Sequence, residues 1–551
     1  MRRIRCTLFI LLITIGASAQ NIKGLVLTTD GQPAGDVNVS VKQQKIGTFT
    51  SDEGTFILRN LKPGVYTIVV SHTGLETREQ AVTVEEGKDS DIRFTLSETS
   101  GRLAEVVVSG HRTINRKTLT TGKAPIHPMD LPQSVTVINE GLIRDQQAQR
   151  LSDVIKNVNG VYLAGTRAST QESFSARGYG LGSNNLFKNG SRVNSGAMPE
   201  VSGLERVEVL KGSAAILYGN VAPGGIVNMV TKQPKFNWGG EVSMRAGSYD
   251  LYKPSVDLYG PLSKNIAFRV NGTYEFANSY RDVVSSERFY VNPSLLFKLG
   301  KKTTLTVQAD YLKHDFTPDF GIGSISDTII TPVSRNTFFG APWQYAKTKQ
   351  ATAGFTLKQE INSKWTLAVN GSYQNYKRDY FSIERIQAIA NADWTRPLGR
   401  SNTEENYFIG QVDLTGKFTT AGIGHTLLAG VDADRYLTKA YTYKTLGNYD
   451  IINLLDPNKY TPRTDMPVAT ATRLTETPII RTGIYIQDLI SISKKVKLLA
   501  GVRWSLQESR RLDTTNLATK SKNKSGNIKT DRAFSPRVGL VYKPLETTSI
   551  F

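Results

Sequence analysis

With 551 residues, 39% hydrophobic and 21% charged, the chain has the composition of a folded protein with room for several domains, which excludes a disordered or fibrous polymer. Its single cysteine, Cys6, lies at the extreme N-terminus, so disulfides, thiolate zinc sites and cysteine nucleophiles are excluded from everything downstream. The formal charge is +20, but the basic residues are spread along alternating segments, which favours solvated polar faces over a nucleic-acid surface.

Arg2, Arg3 and Arg5 precede a short apolar run over 7–15 and the small residues Ala17, Ser18 and Ala19, the pattern of a secretory signal at 1–19 cut after Ala19. The run is about half the roughly 20 residues that a membrane-spanning helix needs. No later segment is long and apolar enough for such a helix, which leaves an exported soluble protein or a β-barrel.

Residues 20–97 carry turn signals at short spacing, at Asp30-Gly31, Asp52-Glu53-Gly54 and Lys62-Pro63-Gly64. Val37, Val39 and Val41 recur at every second position, as do Tyr66, Ile68 and Val70, so each strand has one buried face and the segment reads as a small β-sandwich. In the linker at 98–122, Glu105, Val106, Val107, Val108 and Ser109 stand between polar runs. Three valines favour an extended backbone that can add its edge to another protein's sheet, although a last sandwich strand or a plain linker fits the same residues.

Residues 123–235 switch to mixed α/β patterning. Val135 and Val137 mark a strand; Leu151, Val154, Ile155 and Val158 recur at helical spacing up to a stop at Asn159-Gly160; Asn189-Gly190 is a hairpin turn. Within LERVEVLKGSAAILYGNVAPGGIVNMVTKQP at 204–234, alternation around Val207 and Val209 predicts a strand. Ser213 is expected to cap a helical turn, Gly219, Gly224 and Gly225 to give a flexible break, and 226–231 to form a second strand.

From 236 to 551 the chain is a series of long alternating strands, such as Ile266, Phe268, Val270, Gly272, Tyr274 and Phe276 against Ala267, Arg269, Asn271, Thr273 and Glu275. Such strands, apolar on one face and polar on the other, with aromatics near their ends, are what a transmembrane barrel requires. About 12 or 13 are expected, whereas a lumen that holds a folded domain needs about 22, so the chain is expected to be part of a longer barrel.

Three stretches resemble known families. IKGLVLTTDGQPAGDVNVSV with TSDEGTFILRNLKPGVYTIVVSHTGL resembles the carboxypeptidase-regulatory-like domain that precedes outer-membrane receptors in Bacteroidetes-type bacteria, a domain without catalytic residues. LAEVVVSG resembles a TonB box. DLPQSVTVINEGLIRDQQAQRLSDVIKNVNGVYL, FSARGYG and the 204–234 stretch resemble, in order and spacing, the plug domain of TonB-dependent siderophore receptors, with Asn189 where that family has Asp and Ser213 where it has Pro.

The resemblance implies a mainly β fold: signal peptide, β-sandwich, mixed α/β plug, and the N-terminal part of an antiparallel transmembrane β-barrel that is 22-stranded when complete. It implies a monomeric outer-membrane receptor, not an enzyme, which has no cofactor and imports a ferric siderophore with energy from TonB. Its partners are then TonB, the chelate and outer-membrane lipid, with no nucleic acid. A glycan or cobalamin importer, or a surface binding protein that does not transport, is compatible with the same scaffold. Plug arginines of the family pair with barrel glutamates, which makes Arg177 and Arg206 candidates for a plug-barrel lock, with ion pairs inside the plug to Glu205 or Glu208 as the alternative.

The long connection at 314–345 resembles an early extracellular loop of these receptors. Its Phe316, Phe339, Trp343 and Tyr345 are candidates for an aromatic wall around a chelate, with belt or loop-packing roles as alternatives, and Arg167 and Tyr179 are candidates on the plug. The five histidines are scattered, Asp432 and Asp434 share a strand face without an acid-base partner, and the glycines at 178, 180 and 182 lack dinucleotide-binding spacing.

Overall fold

The computed structural model describes residues 20–97 and 119–551, apart from 43, 45, 73–74, 167–170, 195, 445, 511 and 546. The expected signal at 1–19, the box at 105–109 and Arg167 lie outside the described residues. The chain divides into two compact units, 1–111 and 112–551.

In the first unit, Gln20–Thr28 pairs antiparallel with Thr55–Leu61 and parallel with Ser90–Leu96. A second sheet has the order Gly47–Phe49, Asn38–Val41, Gly64–Ser71, Arg78–Val84. The alternating residues Val37, Val39, Val41, Ile68 and Val70 meet Ile22, Val26, Leu58 and Phe94 in one core between the sheets. This is the sandwich that the period-2 pattern predicts.

The second unit begins with the plug. Its main sheet has the order Ser191–Arg192, Leu186–Lys188, Gly225–Thr231, Leu204–Lys211, Val135–Asn139. Every residue of Gly225–Thr231 is buried, as a central strand requires. Asn189 and Gly190, at φ +49° and +83°, form the expected hairpin turn, in which Lys188 stands opposite Ser191.

Three local expectations are corrected. The helix Leu151–Ile155 is shorter than the pattern implied, since the chain turns at 156–160 to enter the next strand. The helix Ala215–Tyr218 starts from Ala214, with no side-chain cap from Ser213. Gly224 and Gly225 are points of close contact and not a flexible break: an added Cβ would lie 2.4 Å from the Ala176 carbonyl oxygen and 2.5 Å from that of Leu210, and Gly225 has φ +139°.

From Gly239 the chain forms one antiparallel sheet whose main path, among the described residues, holds thirteen strands in sequence order up to Thr548–Ile550. Connections at one end are short, at 262–265, 299–302, 361–364, 421–422 and 492–495; those at the other include 317–344, 384–397 and 444–470. Short periplasmic turns and long extracellular loops characterise outer-membrane barrels. No described helix is long and apolar enough to cross a membrane.

Alternation sets the two faces. Gln374 and Tyr376 point into the lumen and are buried, while Trp365, Leu367, Val369 and Tyr373 share the outer face. Trp365, Phe418 and His425 stack near the short turns, at centroid separations of 6.0 and 4.9 Å, and Tyr373 pairs with Phe408 at 4.5 Å nearer the long loops. The eight residue steps from Trp365 to Tyr373 run about 26 Å along the strand, which the barrel's tilt shortens to about 20 Å, within the height of a barrel's apolar band.

Gly225→Val should destabilise the plug by about 3 kcal/mol or more through overlap and backbone strain, measured by the unfolding midpoint of the plug. Gly180→Ala, which meets nothing within 4 Å, should leave it within about 0.5 kcal/mol.

Candidate functional site: the plug and its seam with the barrel

The strand Leu204–Lys211 carries one residue that its alternation alone does not explain. Glu208 is 0% exposed, and a carboxylate removed from water must be surrounded by donors. It has them: the Thr121 amide at 2.8 Å, the Thr120 amide at 3.1 Å, the Thr120 hydroxyl at 2.8 Å and the Arg206 Nε at 2.8 Å all donate to it. Asn228 Nδ2 donates to the Thr120 hydroxyl at 3.1 Å, and the Tyr218 hydroxyl to the Thr121 carbonyl at 3.1 Å. The last residues of the linker are thereby fastened to the middle of the plug sheet.

The same segment then lines the barrel wall. Leu119, Ala124 and Ile126 join one apolar cluster with Ile216 and Leu217 of the plug and Leu428, Tyr485, Leu489 and Leu499 of the barrel. Between them Lys123 Nζ donates to the Tyr485 hydroxyl at 3.1 Å, lies 3.7 Å from Asp432, and sits over the rings of Tyr218 and Tyr485. Burial pulls the Lys123 ammonium below the ordinary lysine range, against the pull of Asp432 and Asp413. Sequence reading passed over this segment because LTTGKAPI has no period.

The opposite part of the seam is ionic. Arg150, just before the helix Leu151–Ile155, reaches both oxygens of the barrel residue Glu275. Lys253 bridges Glu275 at 3.0 Å and the plug residue Glu200 at 3.1 Å. Arg288 donates to the Met198 carbonyl at 2.8 Å. Lys188 meets Asp310 and Lys232 meets Asp257, each at 2.9 Å. Burial opposes the charge on Arg150, but the Glu275 carboxylate outweighs it and raises the guanidinium's affinity for its proton. Burial likewise raises Glu200, and the Lys253 and Arg288 charges bring it below the usual carboxylate range.

Near the short turns, Asp130 of the plug accepts from Lys497 at 2.5 Å and from Lys543 at 2.9 Å. Burial pushes its carboxyl up, and the two ammonium groups hold it below the usual range.

The expected lock through Arg177 and Arg206 is not what the geometry displays. Arg206 pairs inside the plug, with Glu205 at 2.9 Å and Glu208 at 2.8 Å, because both carboxylates lie on its own strand. Arg177 is not on a strand: with φ +51° it opens a hairpin turn with Gly178, is exposed, and lines a cavity of about 260 Å³ with Gln133, Lys211 and Arg537. Arg192, which the sequence did not single out, is the plug's internal brace. Its buried guanidinium donates to the carbonyls of Tyr218, Asn220 and Asn184 at 2.6, 2.9 and 3.1 Å.

The long loops form a unit of their own. Ser324–Ile325 pairs with Ile329–Ile330 and, in parallel, with Gln387–Ala388, while Asp393–Thr395 pairs with Ile451–Asn453. Ile325, Ile386, Trp394, Tyr449 and Leu454 form a core beneath them, against which Phe339 and Trp343 pack. Trp343 Nε1 donates to the Tyr449 hydroxyl at 3.1 Å, and its ring lies 4.9 Å from that of Phe381.

The candidate aromatic wall is therefore divided. Phe339 and Trp343 serve loop packing. Phe316 ends its strand beside His314, and Tyr345 occupies the opposite strand face, with Lys347 over its ring at 4.9 Å. Tyr179 is 49% exposed on the plug hairpin. Among the described residues no group of three His, Cys, Asp or Glu side chains is arranged to hold a metal.

The comparisons agree with this architecture. The model "TonB dependent receptor-like, beta-barrel" matches residues 233–551, and "TonB-dependent Receptor Plug Domain" matches 127–226. The chain belongs to the TonB-dependent receptors. The "CarboxypepD_reg-like domain" model matches 22–108. The metal-pseudopaline receptor CntO of Pseudomonas aeruginosa is 26% identical over 88% of this chain and 68% of its own length. The catecholate siderophore receptor Fiu of Escherichia coli is 28% identical over 68% of this chain, which spans about half, 52%, of that relative. The crystal structure of Fiu in its open form superposes with a TM-score of 0.68 at 25% identity, over 76% of this chain and 68% of that one.

Arg150→Ala leaves Glu275 buried with Lys253 alone and should loosen the plug by about 3 kcal/mol, seen as faster hydrogen exchange over 140–165. Because the Asp130 carboxyl is depressed in the fold, its contribution is present above the unfolded value near pH 4 and is lost as pH falls through the folded value. Asp130→Asn should flatten the acid side of the plug's stability profile below about pH 4, measured by denaturant unfolding.

Proposed function

We propose that this TonB-dependent receptor imports a ferric siderophore across the outer membrane, and that TonB opens it by drawing on the residues before Leu119. The observation that carries the proposal is the attachment of Thr120 and Thr121 to Glu208, followed directly by an apolar strip between plug and barrel. Tension arriving from Glu105, Val106, Val107, Val108 and Ser109, paired as an added strand with TonB, meets this attachment first. Once it yields, withdrawal of 119–126 exposes the wall formed by Leu428, Tyr485 and Leu499, while the ion pairs of Arg150, Lys188 and Lys232 still pin the plug to the opposite wall.

The similarity to CntO and Fiu, receptors for metal-pseudopaline and catecholate siderophores, supports a metal chelate as cargo. The chelator holds the iron, so the receptor needs neither a resident cofactor nor catalysis. In this reading Arg167 and Tyr179, which follow the strand Val161–Gly165 in sequence, together with the loop unit, supply the receiving surface. Gln171 supports this placement, since Arg378 near the extracellular end of its strand donates to it at 2.9 Å. The signal at 1–19 directs export, and the sandwich precedes the box as it does in Bacteroidetes-type receptors.

Deletion of 105–109 from the receptor in cells should abolish uptake of a ferric chelate while surface binding persists; unchanged uptake would overturn energised import. Glu208→Gln should weaken the attachment, lowering amide protection at Thr120 and Thr121 by about 10- to 100-fold in hydrogen exchange.

A further inference from the structure

Three neighbouring strands place lysines side by side on the outside of the barrel. In Thr303–Phe316, Tyr345–Glu360 and Trp365–Ile383, Lys313 stands directly opposite Lys349, and Lys349 directly opposite Lys377. All three share the face of Tyr311, Phe355 and Tyr373, because Leu312, Gln350 and Tyr376 alternate with them and are buried in the lumen. With strands about 4.8 Å apart, the three side chains start within about 10 Å of one another. Like charges directly opposed across a sheet are unfavourable, so an anion seated against the row would relieve it.

The protein supplies carboxylates only at its ends. Lys313 lies 3.0 Å from Asp315 and 3.7 Å from Glu287, and Lys377 lies 3.6 Å from Glu404. Lys349, in the centre and exposed, has no carboxylate within ion-pair distance among the described residues. Lys347, two residues further out on the same face, has none either. Its neighbours in register are Asp315 and Asp379, which are engaged by Lys313 and Arg400.

The height of the row decides the ligand. The Tyr373–Phe408 pair marks the upper edge of the apolar band, and the lysines lie beyond it toward the long loops. Lys377 is four residues above Tyr373, a rise of about 13 Å along the strand that the barrel's tilt shortens to about 10 Å. That is the level of lipid headgroups, where basic side chains meet anionic lipid.

We propose that Lys347 and Lys349, flanked by Lys313 and Lys377, form a binding site for the phosphate group of an outer-leaflet glycolipid. The occupant is a lipid and not free phosphate, since the site is an outward-facing wall whose apolar continuation below the lysines receives acyl chains. The site is separate from the plug seam and independent of which chelate is carried.

The test uses the purified receptor in neutral detergent with bisphosphorylated lipid A, the same lipid after enzymatic dephosphorylation, and inorganic phosphate, with bound lipid read by native mass spectrometry. The phosphorylated lipid should remain bound, and Lys347→Gln/Lys349→Gln should weaken it by about 10- to 30-fold without changing the heat-resistant barrel band on gels. Inorganic phosphate at about 10 mM should neither bind nor displace it. Equal retention of the dephosphorylated lipid by the unaltered receptor would overturn the proposal without reliance on any variant. Unchanged binding in the double variant, or displacement of the lipid by inorganic phosphate, would overturn it as well.

Discussion

A carboxylate that cannot reach water must gather its own donors, and Glu208 does so with groups from two parts of the plug that a third holds in place. Arg206 comes from its own strand, Thr120 and Thr121 from the segment that enters from the linker, and Asn228 and Tyr218 hold those threonines from the far side. The amides are aligned with the carboxylate only while the incoming segment stays extended in its groove. The burial of Leu119, the position of Lys123 and their packing against the barrel wall are consistent with that alignment.

Around this centre the seam is asymmetric. On one wall Arg150, Lys188 and Lys232 exchange charges with Glu275, Asp310 and Asp257; on another, apolar side chains of 119–126 press against Leu428 and Leu499. A buried ion pair adds little net stability over well-packed apolar groups, yet breaking one by removing a partner is costly. The ionic wall therefore fixes position. The apolar strip is different, since its side chains can leave one after another, and the only charges their departure disturbs are Lys123 and Glu208, the latter keeping Arg206 as its partner. Positioning and release are thereby assigned to different chemistry.

Periodic features were legible in the sequence. Val37, Val39 and Val41 have one buried face because a strand alternates, the barrel strands announce themselves by the same rule, and Asn189-Gly190 adopts the turn that its backbone preferences favour. The seam was not legible. Arg150 looks like any polar residue before a helix, and Glu208 alternates with Val207 and Val209 as a solvent-facing residue does. Only the tertiary arrangement buries it, by laying an aperiodic strap over the exposed side of the sheet. Arg206 was recognised as needing a carboxylate, but proximity along its own strand supplied one before the barrel did. Phe339 and Trp343 were legible as aromatic and loop-borne, yet nothing in one loop reveals that two others close over it.

Those three loops share a single core, with Trp343 from one bonded to Tyr449 from another and Gln387–Ala388 of the third paired to Ser324–Ile325 of the first. A core of this kind couples their variation. A length change or an altered side chain in one loop alters the surface on which the other two fold, so the unit that can be exchanged between such receptors without loss of packing is the trio and not the individual loop.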